Sequence, residues 1–391
     1  MAVPAVQSQT FTVLHTFTGQ GDGNQPAAGL TIDRAGNLYG TTSAAGAGYG
    51  TVFKLSHVGS GWVLDAIYTF QGGSDGATPQ ARVVFGLDGT LYGTTSYGGT
   101  GSGTVFNLRP PATSCRSARC PWTETVLYRF SGKSDGGVPG YGDLTFDSAG
   151  NIYGTTTQAG MGCIPYGGCG VVFNLTRSAG GWTESVLHPF TGGTDGQTPY
   201  SGVTFDGAGN LYGTNSYGGK YGQGTVYELT QTGSSWTETT LHSFGAAGDG
   251  GDPFGGLIMD QQGDLYGTTS NNGSAYELQP SGGNWTHTLL YNVPLGADDA
   301  PTMDAFGNLY ATTSGSFGGG LGNVFKLSSG AGGWSYTDLH DFSITQFSNG
   351  FAPVGGAVLD SNGNLYGTTF QGGSMIPPCG EGCGVVWEIT P

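Results

Sequence analysis

Leu38-Tyr-Gly-Thr-Thr42 is the stretch that decides the fold, because near copies of it return six more times along the chain. The further copies begin at Leu91, Ile152, Leu211, Leu265, Leu309 and Leu365. Successive copies lie 44 to 61 residues apart. Periods in this range are typical of architectures that copy one supersecondary unit many times. The repeat therefore predicts an array of seven similar units.

One unit, residues 199–244, reads as four short strands. Its apolar runs are rich in β-branched and aromatic residues and are separated by turns of Gly, Asp and Ser, which is the pattern of antiparallel strands. The predicted strands are Val203–Asp206, Leu211–Thr214, Thr225–Thr230 and Trp236–Phe244. Helical periodicity is absent, so the chain is expected to be all-β and without helices.

The two ends of the chain predict that the array closes into a ring. The last unit stops after its third strand, Val385–Thr390, and the chain begins with a spare fourth strand, Thr10–Phe17. Joining them would remove both exposed sheet edges. We therefore predict a seven-bladed β-propeller with four antiparallel strands per blade, as one domain over residues 1–391. Residues 10–17 would complete the last blade, and residues 1–9 would be a disordered remnant.

Glycine stands in the middle of six of the seven copies, for example at Gly40 and Gly213, with Ala311 in the sixth. Glycine inside a strand marks a place where another backbone approaches closely. We expect that approach to occur where blades stack face to face near the axis.

Charge restricts the partners of the chain. Only 11 Lys and Arg residues stand against 27 Asp and Glu, which gives a net charge of -16. Such a field repels phosphate backbones and argues against nucleic-acid binding. No apolar run is long enough to span a membrane. We expect a monomer that acts outside the cell or at its surface.

The cysteines fall in three close pairs, each within a loop rich in Gly, Pro or Ser. We predict three local disulfides and an oxidising compartment. Metal binding is the alternative, but no histidine lies at zinc-ligand spacing from any pair. The start, Met1-Ala-Val-Pro-Ala-Val6, is expected to be that of a mature chain whose secretion signal has been removed. The predicted pairs are Cys115 with Cys120, Cys163 with Cys169, and Cys379 with Cys383.

The combination of phrases GNLYGTT, GTVFxL, WTETVLHxF and TGGxDGxxP resembles the Gloeobacter/Verrucomicrobia tandem repeat over nearly the whole chain. The resemblance implies a bacterial protein that is exported, often with a C-terminal sorting or anchoring segment. The chain ends at Ile389-Thr-Pro391, so that segment is expected to be absent or removed. The family brings no agreed activity or catalytic residue to map onto these positions.

Residues that recur in every unit are expected to be structural. The aspartate of each D-x-x-G turn should cap backbone amides, and the aspartate of each D-G-x-x-P loop should do the same, with weak calcium binding as the alternative. Four histidines share one position of the fourth strand with tyrosines and are expected to be half-buried rather than general bases. Six tryptophans that start fourth strands should cover the blade edge rather than stack on sugars. The histidines are His15, His188, His242 and His340.

Function is expected where the repeat is broken. Most innermost strands begin with small residues, and those that do not would line the mouth of the central channel. The loop Ser270–Ser274 is also short, which predicts a low rim there, beside the loops stapled by Cys163–Cys169 and Cys379–Cys383. The exceptional residues are Arg82, Tyr141, Asp143, Tyr200, Phe254, Asp298 and Asp299.

Three functions fit these residues. The first is binding of a glycan or other extracellular polymer on the top face through Arg82, Tyr141, Tyr200 and Phe254. The second is a polysaccharide-cleaving hydrolase or lyase that uses carboxylates as acid and base. Its candidates are Asp143, Asp298 and Asp299, and Asp143 should pair with one of the other two, since neighbours along a strand point to opposite faces. The third is a structural surface-layer module. No cofactor and no dedicated metal site are expected, and no serine-hydrolase, zincin or nucleotide-binding motif is present.

Overall fold

The computed structural model describes residues 9–44, 48–111, 122–160, 163, 167–315, 321–375 and 377–390. The described residues form 28 strands and one 3-10 helix. None of their helices is long and apolar enough to cross a membrane. The strands are β1 (Thr10–Thr16), β2 (Thr31–Ile32), β3 (Leu38–Thr42), β4 (Thr51–Val58), β5 (Gly61–Thr69), β6 (Val84–Phe85), β7 (Leu91–Thr95), β8 (Thr104–Arg109), β9 (Thr123–Arg129), β10 (Thr145–Phe146), β11 (Ile152–Thr156), β12 (Val171–Ser178), β13 (Gly181–Pro189), β14 (Thr204–Phe205), β15 (Leu211–Asn215), β16 (Thr225–Thr232), β17 (Ser235–Ser243), β18 (Ile258–Met259), β19 (Leu265–Thr269), β20 (Ser274–Ser281), β21 (Asn284–Asn292), β22 (Thr302–Met303), β23 (Leu309–Thr313), β24 (Asn323–Gly330), β25 (Gly333–Asp341), β26 (Val358–Leu359), β27 (Leu365–Thr369) and β28 (Val385–Thr390).

These strands form seven antiparallel sheets of four, which confirms the predicted seven-bladed propeller. In each blade a two-residue innermost strand is followed outward by the repeat strand and two longer strands. We number the blades in chain order: blade 1 is β2–β5, blade 2 is β6–β9, blade 3 is β10–β13, blade 4 is β14–β17, blade 5 is β18–β21, blade 6 is β22–β25, and blade 7 is β26–β28 with β1.

The ring closes as the sequence predicts. β1 pairs antiparallel with β28, with Thr10 opposite Thr390 and Thr16 opposite Val385. Phe17, just after β1, is fully buried between blades 7 and 1. Residues 1–8, most of the predicted N-terminal remnant, lie outside the described residues.

The reason expected for the repeat glycine is wrong, because a side chain and not a backbone occupies the space above it. A Cβ atom added to Gly213 would lie 2.6 Å from Cζ of Tyr227, and one added to Gly93 would lie 2.6 Å from Cζ of Phe106. Each ring belongs to the third strand of the same blade, paired directly opposite the glycine. A buried aromatic ring therefore lies across the glycine in each of these blades.

Apolar side chains fill the seams between neighbouring blades. Trp122 of blade 2 packs on Tyr39 of blade 1, with ring centroids 6.2 Å apart, and Trp285 packs on Tyr212 in the same way at 5.7 Å. These fourth-strand tryptophans thus cover the seams between blades, whereas the sequence analysis predicts that they cover the edge of their own blade.

The two faces of the ring carry different connections. The lower face carries the D-x-x-G turns, in which Asp206, for example, accepts hydrogen bonds from the N–H groups of Ala208 and Asn210 at 2.8 Å. The upper face carries the links between second and third strands and between blades. There, His242 Nε2 lies 3.1 Å from the loop carboxylate of Asp249. His15 and His188 lie against Asp22 and Asp195 in the same way, so in these three blades histidine and loop aspartate form an architectural pair.

The 3-10 helix, η1 (Ile344–Asn349), is not predicted by the sequence. It lies in the link between blades 6 and 7, where Asn349-Gly-Phe-Ala-Pro353 stands in place of the D-G-x-x-P phrase. The Ser343 side chain accepts a hydrogen bond from the Thr345 N–H and so caps the first turn.

Candidate functional site

The residues just before the innermost strands form layers around the upper end of the axis. We call the residues four positions before each innermost strand the mouth ring, and those two positions before it the waist ring. The mouth ring is Ala27, Gln80, Tyr141, Tyr200, Phe254, Asp298 and Val354. The waist ring is Gly29, Arg82, Asp143, Gly202, Gly256, Ala300 and Gly356.

A cavity of about 430 Å³, the mouth cavity, opens at the centre of these rings. All seven residues that the sequence analysis singles out lie on its wall. A second cavity of about 280 Å³ continues below, and Arg82, Asp143 and Asp299 line both. The wall also includes Gln80, Ser201, Val354 and Phe370, which sequence reasoning missed.

The waist is narrow because neighbouring backbones meet there. A Cβ atom added to Gly29 of blade 1 would lie 2.8 Å from the carbonyl oxygen of Gly356 in blade 7. Only small residues fit such a place without a shift of the backbone. Arg82 and Asp143 are the waist-ring residues with long or charged side chains. Because the neighbouring backbones leave no room beside them, these two side chains point into the channel.

Arg82 and Asp143 join blades 2 and 3 through an ion pair. Arg82 Nη2 lies 2.6 Å and Nε 2.9 Å from Oδ2 of Asp143, and the Arg82 backbone N–H donates to Oδ1 at 2.9 Å. About a third of each side chain is exposed to solvent. The negative charge of Asp143 raises the pKa of Arg82. Both carboxylate oxygens of Asp143 are therefore engaged by one residue.

Asp298 and Asp299 enter the cavity from blade 6 and have different partners. Asp298 accepts hydrogen bonds from the hydroxyls of Ser270 and Ser314. Asp299 accepts hydrogen bonds from the backbone N–H of Gly356 in blade 7 and of Ala300, the latter at 2.7 Å.

Burial raises the pKa of Asp299 to about 6, and the charge of Asp143 adds to the rise. The charge of Arg82 and the two N–H donors act in the opposite direction without cancelling it. A carboxyl with this pKa exchanges its proton near neutral pH.

Aromatic side chains form the wall beside these carboxyls. Tyr141 and Tyr200 meet edge to face with centroids 4.9 Å apart, and Tyr200 meets Phe254 in the same way at 4.9 Å. Tyr217, from the link between β15 and β16, extends the row at 6.1 Å from Phe254. We call Tyr141, Tyr200, Phe254 and Tyr217 the aromatic arc. Sequence reasoning missed Tyr217, because its unit shows no break in the repeat at that position.

The rim around the mouth is uneven. The link between β19 and β20 is only residues 270–273, whereas residues 370–384 link β27 to β28. Disulfides Cys163–Cys169 and Cys379–Cys383 staple two of the long links, with Cα atoms 5.2 and 5.1 Å apart. The third predicted pair, Cys115 and Cys120, lies outside the described residues. Within the described ranges, no three His, Cys, Asp or Glu side chains are placed to hold a metal ion.

The mouth cavity thus offers two kinds of contact. The aromatic arc supplies apolar and π surface, and the carboxyls of Asp298 and Asp299 supply acceptors for hydroxyl or amine donors. A pocket of mostly apolar wall with a few convergent polar groups is the usual form of a ligand site.

Comparisons with known proteins place the chain in a family and agree on its fold. The family model described as the Gloeobacter/Verrucomicrobia repeat matches residues 4–164 and 164–376. No protein of curated function matches the sequence.

Two solved structures are similar in fold. A candidate 6-phosphogluconolactonase from Bacteroides uniformis is 16% identical, with a TM-score of 0.52, over 81% of this chain and 84% of its own. A gluconolactonase from Xanthomonas campestris is 14% identical, with a TM-score of 0.43, over 74% of this chain and 84% of its own. At 16% identity the likeness to the first of these shows a common fold alone.

Proposed function

We propose that this chain, which belongs to the Gloeobacter/Verrucomicrobia repeat family, binds a glycan or another extracellular polymer in its mouth cavity. The observation that supports this most directly is the aromatic arc beside Asp298 and Asp299 on the wall of one cavity. Sugars present apolar C–H surface beside hydroxyl donors, and this wall provides a partner for each.

The size and setting of the cavity suit part of a chain molecule. A volume of about 430 Å³ falls within the range of small-molecule sites, so it would hold a terminal unit or a short stretch of polymer. The short link at residues 270–273 leaves that side of the rim low, where the rest of the polymer would leave the cavity.

Export to an oxidising compartment is part of the proposal. Two disulfides support it, because such bonds persist outside the cytosol and are rare within it. An extracellular polysaccharide or surface polymer is the partner we propose, with the protein acting as a monomer. Weak calcium binding by the D-G-x-x-P loops stays a prediction.

Binding is tested by substituting the arc. Tyr200→Ala and Phe254→Ala should each weaken binding to a glycan found by array screening by at least about tenfold, because buried aromatic contacts dominate binding energy. The matched control is Phe306→Ala, an aromatic residue 88% exposed on the lower face. Equal affinity of all four proteins would contradict the proposal. If no glycan binds and the protein assembles through its outer strands, the structural-module alternative is favoured.

Polysaccharide cleavage is the second candidate function, and the pKa of Asp299 favours it. This carboxyl titrates at about 6, while Asp143 is held in an ion pair with Arg82. Two carboxyls in different electrostatic environments are the usual arrangement for an acid and a base. New reducing ends or unsaturated products from a bound polysaccharide, lost in Asp299→Asn without a change in Tm, would establish cleavage. Binding without products leaves the chain a binding protein.

A further inference from the structure

The charges around the mouth cavity do not balance. Among the described residues, its wall carries three carboxyl groups, Asp143, Asp298 and Asp299, and one cation, Arg82. Arg82 directs both Nε and Nη2 to Asp143. Among the described residues, the donors to Asp298 and Asp299 are neutral hydroxyl and backbone N–H groups. Asp298 therefore adds negative charge that no cation among the described wall residues pairs directly, and Asp299, whose pKa is about 6, adds more as the pH rises through that value.

Asp298 and Asp299 can each accept further hydrogen bonds. Each oxygen of a carboxylate can accept about two hydrogen bonds. In Asp298 and in Asp299 one protein donor reaches each oxygen, since Ser270 and Ser314 bond different oxygens of Asp298, and Ala300 and Gly356 different oxygens of Asp299. Acceptor capacity is left over on a carboxyl pair that lines the cavity.

The aromatic arc favours the same kind of ligand. The faces of tyrosine and phenylalanine rings carry negative electrostatic potential and attract cations. Phe254 and Asp298 come from neighbouring blades and are neighbours in the mouth ring, so ring and carboxyl can contact one bound group. The net charge of -16 adds a long-range attraction for cations and a repulsion for anions.

We infer that the glycan bound by the mouth cavity carries a protonated amino group, as in a 2-amino-2-deoxy sugar with a free amine. Its ammonium group lies toward Asp298 and Asp299, and its sugar ring lies against Tyr200 and Phe254. This inference rests on the proposed function and names the class of ligand. Uronic-acid and sulfated polymers are disfavoured, because Arg82, the cation among the described wall residues, is already paired with Asp143.

Calorimetric titration of the full chain tests the inference with three oligosaccharides of equal length. One is the β-1,4-linked glucosamine tetramer, at a pH where its amines are protonated; the second is its N-acetylated form; the third is a galacturonate tetramer. We expect the amine form to bind at least about tenfold more tightly than the acetylated form, because hydrogen bonds between charged partners are stronger than neutral ones. The galacturonate tetramer should show no binding.

The variant Asp298→Asn tests whether this carboxylate binds the ammonium group. It should weaken binding of the amine form by at least about tenfold and leave the acetylated form nearly unchanged, since only the charged contact is lost. Glu381→Gln removes the same charge from an exposed loop of the same face and should change neither affinity. An unchanged Tm shows that each variant is folded.

The outcomes separate this inference from the proposed function. Equal or tighter binding of the acetylated or acidic tetramer overturns the amine inference and leaves glycan binding standing. Equal weakening of both forms by Asp298→Asn also overturns it, because the carboxyl would then bind hydroxyl groups. Lack of binding by every glycan, on the array and in titration, overturns both. Binding of a lysine-rich peptide as tightly as the amine tetramer overturns the assignment to a sugar.

Discussion

Glu124 and Glu184 occupy the same place in blades 2 and 3, two residues after a seam tryptophan. Each faces the aspartate of the loop before its own blade. Burial raises the pKa of Glu124 to about 7, and the negative charge of Asp75 adds to the rise. Burial and Asp135 raise that of Glu184 to about 7 as well. One oxygen of each glutamate is buried without a hydrogen-bond partner among the described residues. These seams therefore hold carboxyl groups that favour their protonated form.

These glutamates should make stability fall as pH rises. A carboxyl whose pKa is higher in the folded state binds its proton more tightly there than in the unfolded state. The free energy of unfolding then decreases between the unfolded pKa, near 4.5, and the folded value, near 7. In Glu124→Gln/Glu184→Gln the difference in Tm between about pH 5 and about pH 8 should be smaller than in the parent chain. Glu381→Gln is the control, and an equal slope in all three proteins would contradict the assignment.

The turn aspartates allow a second prediction at the residue scale. Asp206 accepts hydrogen bonds from two backbone N–H groups and from the side chains of Asn210 and Tyr212. Burial on its own would raise the pKa of this carboxyl, but the hydrogen bonds outweigh that effect and lower it. Asp206→Ala should lower the free energy of unfolding by about 2 kcal/mol, because several donors lose their acceptor.

Denaturant unfolding measures this loss. Gly207→Ala, in the same turn, is the control, because an added Cβ meets nothing within 4 Å there. If Asp206→Ala is as stable as Gly207→Ala, the turn carboxylate contributes nothing to the fold.

Sequence reasoning succeeded at this scale where one local phrase decides the contact. The aspartate of a D-x-x-G turn reaches amides only two and four residues away, so its role can be read from the phrase. The partner of His242 was missed, although Asp249 is only seven residues away. That contact depends on how the loop folds back over the fourth strand, which spacing does not specify.

At the scale of elements, the second and third strands share one arrangement, a small residue beneath an aromatic ring, which is glycine in six blades and Ala311 in blade 6. In blades 4 and 5 that ring is a tyrosine, Tyr227 or Tyr276, whose hydroxyl is buried and has no hydrogen-bond partner among the described residues. Blades 1, 2, 3 and 6 carry phenylalanine at the same place. The hydroxyl therefore adds a desolvation cost that the phenylalanine blades avoid.

Tyr227→Phe should stabilise the protein by about 1 kcal/mol, because it removes a buried polar group that makes no hydrogen bond. Tyr212→Phe is the matched control, since the Tyr212 hydroxyl lies within hydrogen-bond distance of two carboxylates, Glu228 at 2.9 Å and Asp206 at 3.2 Å. That change should be destabilising. Thermal unfolding of both variants checks the prediction, and a lower Tm for Tyr227→Phe would contradict it.

The strands could be predicted from sequence, but the layering at the mouth could not. Strand positions follow from runs of β-branched and aromatic residues between turns, which the repeat shows seven times. The mouth and waist rings depend on counting back from the innermost strands, which have only two residues each. Blade 3 has one extra residue, Gly140, after its loop proline, and blade 6 lacks that proline. Alignment of the repeat phrases alone therefore shifts the mouth-ring and waist-ring residues of blade 3 by one position and leaves those of blade 6 unaligned.

At the scale of the whole molecule, ring closure should be essential for stability. β1 supplies the outer strand of blade 7, and Phe17 seals the seam with blade 1. A chain that lacks residues 1–17 exposes the edge of β28 and should lose most of a net stability that is typically about 5–15 kcal/mol. A chain that lacks residues 1–8 keeps β1 and should keep its Tm. Calorimetry of the two chains checks this, and equal melting temperatures would show that the ring tolerates an open blade.

The number of blades and their closure followed from the sequence, whereas the chemistry of the mouth did not. Seven copies and one displaced strand suffice to define a ring. The ion pair of Arg82 and Asp143 joins residues 61 positions apart, and its geometry depends on the spacing of two blades at the waist. The raised pKa of Asp299 depends on burial and on charges from blades 2 and 3. Such effects arise only after the ring has closed.

The pairing of Thr10 with Thr390 brings both ends of the ring to one point at its outer margin. Since β1 runs away from the D-x-x-G turns and β28 runs toward them, that point lies on the lower face. Thr10 and Thr390 therefore both lie on the side opposite the mouth cavity. A tether attached at either residue would hold the molecule with its mouth cavity facing away from the anchoring surface. A force that pulls the two ends apart would break the hydrogen bonds between β1 and β28 one after another. Attachment at one end would therefore resist mechanical unfolding better than attachment at both ends to opposed surfaces.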